Sequence, residues 1–451
     1  MSRPLLAALG LSILLCNPAF ADDRLFPATL VGQAVVPANS IIKAPADAPA
    51  FLQTSGKFTE SGKRTEALGS IPGKDANRTT GIALPFAGQP LQGFSGIKAM
   101  ADGTFWTLSD NGYGAKANSS DAMLMLHHIR FDWDKGNVER LETVFLSDPD
   151  RKATGPIVLE GAEKRYLTGA DFDVESIQPV EDGFWLGEEF QPAVLKVNRQ
   201  GELQRVIPTE VDGKPVLSPD NPALSLPANP TAKLPAFNLK RSGGFEGLAL
   251  SKDGAKLYAL LEGPLYTETG AVEQVDGQTV LHIIELDAAS AGWTGRSWLY
   301  PLSAGGVAIG DFNMIDQTTA LIIERDGGEG GMQQACADPK TPTPTCFAQP
   351  AKHKRIYKIE MTDDTLGKPV RKIGYIDLMA IADPDHKARQ GGKDGLYSMP
   401  FVTIENVDIV DGTHILVGND NNLPFSAGRA LDKADDSEFV LLDVADFLKA
   451  R

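Results

Sequence analysis

The chain has 451 residues, a formal net charge of −16 and 42% hydrophobic residues. That hydrophobic share supports a folded core, so disorder is not the default. The acidic balance argues against nucleic acid or an anionic membrane as main partner, because both call for a basic surface.

The N-terminus reads as an export leader. Arg3 supplies the positive start, Leu5 to Cys16 a short apolar run, and Ala19-Phe20-Ala21 a small-x-small cleavage signal. The expectation is a leader over 1–21, cleaved near Ala21, and a single domain over 22–451 that is periplasmic or secreted. Lipidation at Cys16 is the alternative, and Leu15 is a poor residue before a lipidated cysteine. No later run is long or apolar enough for a membrane helix. Once Cys16 leaves with the leader, Cys336 and Cys346 remain, and an even pair in an oxidising compartment reads as a disulfide that staples a loop.

Along the rest of the chain one pattern recurs five times. A short apolar stretch holds one small or acidic residue, a turn follows, and an apolar strand ends in an acid. The copies are GFSGIKAMADGTFWTLSDNG from Gly93, DFDVESIQPVEDGFWLGEEF from Asp171 and GGFEGLALSKDGAKLYALLEG from Gly243. Two more follow, IGDFNMIDQTTALIIERDGG from Ile309 and FVTIENVDIVDGTHILVGNDNN from Phe401. Asp-Gly between two apolar runs is a strong hairpin signal. Two further strand-like runs follow each hairpin, except that after the fifth only EFVLLDV remains. Units of four antiparallel strands with variable insertions predict an all-β fold, a β-propeller of five or six four-stranded blades with long inter-strand insertions. The run TLVGQAVV, Thr29 to Val36, is placed to complete the fifth unit, and a sixth blade has room in residues 51–90. The insertions 207–240, 327–353 and 383–400 read as binding loops or lids.

Aligned on their hairpins, the copies place Ser95, Glu175, Glu246, Asn313 and Glu405 on the innermost strand. Asp110, Glu189, Glu262, Glu324 or Asp326, and Asp420 fall at the end of the second strand. Inner strands of a propeller line its channel, so equivalent positions form a ring. Strand interiors are depleted in Glu, so three there need a reason. Carboxylates at one level repel unless a cation sits among them, and hard oxygen ligands suit Ca²⁺ better than zinc. The candidate metal ligands are Glu175, Glu246, Asn313, Glu324, Glu405, Asp110 and Asp420. The competing reading is that these acids cap turns and face solvent. Arg325, inside Glu324-Arg325-Asp326, is placed either to clamp an oxyanion or to form a salt bridge.

Other chemistries lack their residues. There is no HExxH, CxxC, GxxxxGK[ST] or strand-following GxGxxG. Gly93-Phe94-Ser95-Gly96 resembles a nucleophile elbow but has Ile97 where the second glycine belongs. His127 and His128 lie in an apolar strand, one expected inward and one outward.

At these hairpins the sequence resembles the phytase-like β-propeller family, described as having esterase-like activity of phytase. The matching stretches are GQPLQGFSGI with LSDNG, DVESI with GEEF, GFEGLALSKDGAKLYALLE, LIIERD and the EFVLLDV tail. The chain departs at Ser176, where Gly is usual, and at Asn111, where Arg is commoner. The resemblance implies a propeller and a metal-dependent hydrolase, and it carries over Glu175, Glu246, Glu262, Glu324, Arg325 and Asp420. The expected activity is calcium-dependent hydrolysis of a small-molecule phosphoester or simple ester by a monomer. Glu189 or Glu262 would accept a proton, and Arg325 would hold the oxyanion. The alternatives are a non-catalytic propeller with structural calcium, or a lactonase-type enzyme in the same channel.

Overall fold

Each hairpin becomes the inner pair of a four-stranded antiparallel sheet. A computed structural model describes residues 24–60, 63–222 and 237–451; the leader expected over 1–21 lies outside them. The first blade is Phe94–Ala99, Phe105–Ser109, Met125–Asp132 and Asn137–Phe145. The second is Val174–Val180, Gly183–Glu188, Ala193–Asn198 and Leu203–Pro208. The third is Phe245–Leu250, Lys256–Leu261, Gln278–Asp287 and Gly292–Pro301. The fourth is Ala308–Met314, Thr319–Arg325, Lys354–Glu360 and Arg371–Asp377. The fifth begins with Asn406–Ile409, His414–Gly418 and Ser437–Asp443.

The fifth blade's outer strand comes from the other end of the chain. Thr29–Val36 pairs antiparallel with Ser437–Asp443, from Thr29 opposite Asp443 to Val36 opposite Ser437. The inner strands pack in sequence, first on second through fourth on fifth and fifth back on first, which closes the ring. Residues 51–90 contribute the hairpin Ile71–Asp75 with Arg78–Leu84, and Gln89–Pro90 pairs with Ile41–Ile42. The Cys336–Cys346 disulfide closes a loop within 327–353. Among the described residues the one α-helix is Ala445–Lys449.

The packing explains the near-continuous apolar runs. Successive side chains of a strand point to opposite faces, and here each face meets a neighbouring blade. In the fourth blade Ala320 and Ile322 pack with Leu281 and Trp298 of the third, while Leu321 and Ile323 pack with Val417 and Val440 of the fifth. In the second blade Phe184 and Leu186 join Trp106 and Leu108 of the first, and Trp185 joins Leu257 and Leu261 of the third. His127 is fully buried and His128 partly so, as the alternation requires.

Candidate active site

A register shift sets the geometry of the channel mouth. In the second blade Val174 pairs with Glu188 and Ser176 with Gly187, so Glu175 is an extra residue that bulges from the ladder. In the third blade Phe245 pairs with Leu261 and Gly247 with Leu260, leaving Glu246 in the same place. Glu405 immediately precedes the inner strand of the fifth blade, and its amide donates to the Gly418 carbonyl. A bulge re-aims a side chain, and here two bulges bring Glu175 and Glu246 to the mouth where Glu405 also stands.

The side chains converge. Carboxylate oxygens of Glu175, Glu246 and Glu405 lie within 4.8 Å of one another, as do those of Asp173, Glu175 and Glu189 and those of Glu189, Glu246 and Glu262. All six residues are buried. Burial first, and the neighbouring acids second, push the carboxyls of Glu175, Glu189 and Glu246 well above the usual range. The same causes push Glu405 up to about 8. The buried Glu246 Oε1 has no hydrogen-bond partner. A set made wholly of carboxylate oxygens, one of them orphaned inside the protein, fits a hard divalent cation. Glu175, Glu246, Glu405 and Asp173 are the residues positioned to hold it.

One guanidinium faces this cluster. Arg325 Nη2 lies 3.5 Å from Glu262 Oε1 and 3.5 Å from Glu405 Oε1, and the buried Nε has no partner. Burial opposes the Arg325 charge, but Glu405 and Glu262 outweigh it and raise its pKa. The other oxygen of Glu262 accepts from Lys240 Nζ at 2.5 Å. Burial likewise opposes the Lys240 charge, and Glu262 more than offsets it.

Asp110 and Asp420 flank the cluster in equivalent turns. Asp110 Oδ1 accepts the Gly112 amide at 2.7 Å, and Asp420 Oδ1 accepts the Asn422 amide at 2.7 Å. The Asp110 carboxylate is packed against Gly93 so closely that a Cβ there would lie 2.2 Å from Oδ1, and Gly93 also has a φ of +59°. Asp110 is raised well above the usual range by burial and by Asp420, and Asp420 is pushed up to about 6 by burial.

Two residues expected at the site are elsewhere. Asn313 lies further along the inner strand, where its side-chain amide donates to the Val407 and Ile97 carbonyls and its oxygen accepts from Lys98 and Gln178. The fourth blade's bulge is wider, with Ile309 opposite Glu324 and Phe312 opposite Ile322. The residue equivalent to Glu175 is therefore Gly310. Glu324 shares the face of Ala320 and Ile322 and points between blades. There it accepts from Tyr300 Oη at 2.7 Å, His353 Nε2 at 2.8 Å and Lys372 Nζ at 2.8 Å. Burial opposes its charge, but these partners hold its carboxyl down at about 2. Asp326 pairs with Lys354 at 3.0 Å. Ser95 is buried, and its Oγ donates to the Glu175 carbonyl at 2.7 Å.

The alignment passed over two residues. Asp173 stands two residues before Glu175, and period-two alternation along DVE is the signal that would have found it. Lys240 comes from a long insertion with no repeat frame, so nothing in the pattern marked it.

The phytase-like family described as "Esterase-like activity of phytase" matches residues 89–423. An "Uncharacterized secreted protein" of Arthroderma benhamiae is 34% identical over 106 residues, which cover 22% of this chain and 21% of that protein. The match thus spans about a fifth of the relative's length. Hydrazine synthase of Kuenenia stuttgartiensis has a TM-score of 0.31 at 11% identity, over 73% of this chain and 78% of that one. The Dos1 propeller has a TM-score of 0.28 at 9% identity, over 78% of this chain and 68% of that one. The family match takes in all five inner hairpins and the acids they carry, and on it this chain belongs to the phytase-like family.

Proposed function

We propose that the protein is an exported, calcium-dependent hydrolase of phosphoesters or simple esters. The observation that carries this is the convergence of six buried carboxylates, arranged in three overlapping oxygen triads, on the channel mouth that Arg325 also faces. Like charges cannot all remain ionised at such separations without a cation among them. Held by Glu175, Glu246, Glu405 and Asp173, a Ca²⁺ would supply Lewis acidity toward a substrate oxyanion and a nearby water.

The chain's own residues do the rest. Arg325 presents a planar donor fork to the substrate oxyanion, held in place by Glu262 and Glu405. Glu189 is the proton acceptor: its carboxylate stands beside Glu246 and Glu262, and burial and Glu262 raise its carboxyl above the usual range, which makes it the stronger base. Glu262 is the second acceptor in reach, with both oxygens engaged by cationic side chains. Export rests on the leader expected over 1–21, on the Cys336–Cys346 disulfide and on the relative named as secreted.

The test is a panel of chromogenic phosphomonoester, phosphodiester, carboxyl ester and lactone substrates, run with calcium and again after chelation. Turnover of a phosphoester or ester that chelation abolishes is expected. Turnover confined to the lactone, or calcium binding with no turnover at all, overturns the reading.

A further inference from the structure

We propose that Lys240 is a second anion-binding residue of this site, aligned by a slot between Gly243 and Gly263. It rests on the hydrolase reading for the identity of its substrate, but not for anion binding itself.

Lys240 and Arg325 stand on opposite oxygens of one carboxylate. Lys240 Nζ is 2.5 Å from Glu262 Oε2, and Arg325 Nη2 is 3.5 Å from Glu262 Oε1. The two cations differ in access. The Lys240 side chain is 40% exposed and that of Arg325 only 12%. Arg325 is the fixed member, and Lys240 reaches solvent on a flexible stem.

The stem runs in a built groove. A Cβ at Gly243 would meet Lys240 Cγ at 2.8 Å and Cε at 3.1 Å, and one at Gly263 would meet Cε at 3.0 Å and Cγ at 3.1 Å. The two glycines are tied to each other, Gly263 N donating to Gly243 O at 2.9 Å. Neither has a positive φ, so the backbone does not demand glycine at either place. What both positions supply is the missing Cβ, and the lysine fills that space.

A salt bridge that served only to neutralise Glu262 would need no such groove. Lysine is a compact point charge that can leave one anion for another, whereas the arginine fork stays put. An arriving phosphoryl dianion brings two negative charges to a rim with two cations. Lys240 transfers from Glu262 to that anion, which also releases Glu262 to accept a proton. The ligand class is therefore a phosphomonoester dianion, with inorganic phosphate as its simplest member.

The experiment titrates inorganic phosphate into calcium-saturated full-length protein by calorimetry, for the parent, Lys240→Met and Gly243→Ala. Melting curves check that each variant is folded. Loss of one charge-assisted contact should weaken phosphate binding at least about tenfold in Lys240→Met. Gly243→Ala keeps every charge but displaces the stem, and should weaken phosphate binding in the same direction. Calcium affinity should stay equal or become tighter, since a competing cation has gone. No phosphate binding by the parent, equal phosphate affinity in all three, or calcium affinity falling in step with phosphate, overturns the proposal. Ester turnover with unchanged phosphate affinity in Lys240→Met sinks the role of Lys240 and leaves the hydrolase standing. Phosphate affinity lost in Lys240→Met, in a protein that turns over no ester, does the reverse.

Discussion

Arg325 and Glu262 hold the same register position in neighbouring blades, and they touch. Each follows the residue paired with the last inner-strand residue before the bulge, Glu324 opposite Ile309 and Leu261 opposite Phe245. The same frame places Glu189 after Glu188 in the second blade. Asp110 follows Ser109 in the first blade, and Asp420 stands in the fifth blade in a turn that matches that of Asp110. Four blades therefore supply an acid and the fourth in sequence supplies a guanidinium, which lies against the acids of its two neighbours.

Arg325→Lys keeps the charge at this position and removes the planar fork. Turnover on the substrate found by the panel should fall on the order of 10²-fold, the usual loss when one preorganised oxyanion donor goes. Calcium affinity should move far less. Steady-state kinetics and calcium titration together decide the matter, and parent-like turnover would remove Arg325 from the chemistry.

Glu246→Gln should act in opposite directions with and without metal. In stripped protein it deletes one charge from a repulsive cluster and should raise Tm. In calcium it deletes a ligand, so affinity should weaken by at least about tenfold and the stabilisation by calcium should shrink. Differential scanning fluorimetry in both conditions reads this, and a Tm change of one sign throughout would contradict the cation-binding assignment.

The pH dependence of the stripped protein follows from the raised carboxyls. Glu405 is pushed up to about 8 and Asp420 to about 6, both above their unfolded values. A raised carboxyl binds more protons folded than unfolded, so its contribution is complete below the unfolded pKa and is lost as pH rises through the folded one. Metal-stripped protein should lose several degrees of Tm between about pH 4 and pH 8, and calcium should restore them at pH 8. A Tm that is flat or rises over that interval would show that these carboxyls are not raised in the folded protein.

Glu324→Gln tests the correction to the fourth blade. The carboxylate is buried and binds Tyr300, His353 and Lys372. Breaking a buried charge pair by removing one partner costs about 3–5 kcal/mol, so this variant should melt much earlier than the parent. Its calcium affinity should be that of the parent. Its lowered carboxyl, at about 2, adds stability above the unfolded pKa that is lost as pH falls toward 2, so the gap between variant and parent should narrow in acid. Lost calcium binding in a folded Glu324→Gln protein would return Glu324 to the site.

The sequence by itself determined the blades. Apolar runs of strand length, Asp-Gly turns and an acid closing each second strand recur because every blade buries both faces against its neighbours. That repetition showed which strands pair and that Thr29–Val36 completes the fifth blade. It also carried Glu175, Glu189, Glu246, Glu262 and Glu405 to one mouth, since equivalent positions of a closed ring must meet. Only the tertiary structure decided the fourth blade, where a wider bulge moves the register and puts Gly310 and Arg325 where the acid spacing suggests Asn313 and either Glu324 or Asp326. The spacing from Gly310 to Arg325 equals that from Ser95 to Asp110, but a position without an acid carries no mark in a search for acids. Lys240 too was decided by the fold. It reaches Glu262 from an insertion outside the repeat, and contacts between residues far apart in the repeat frame arise from chain closure in space rather than from any periodicity along the chain.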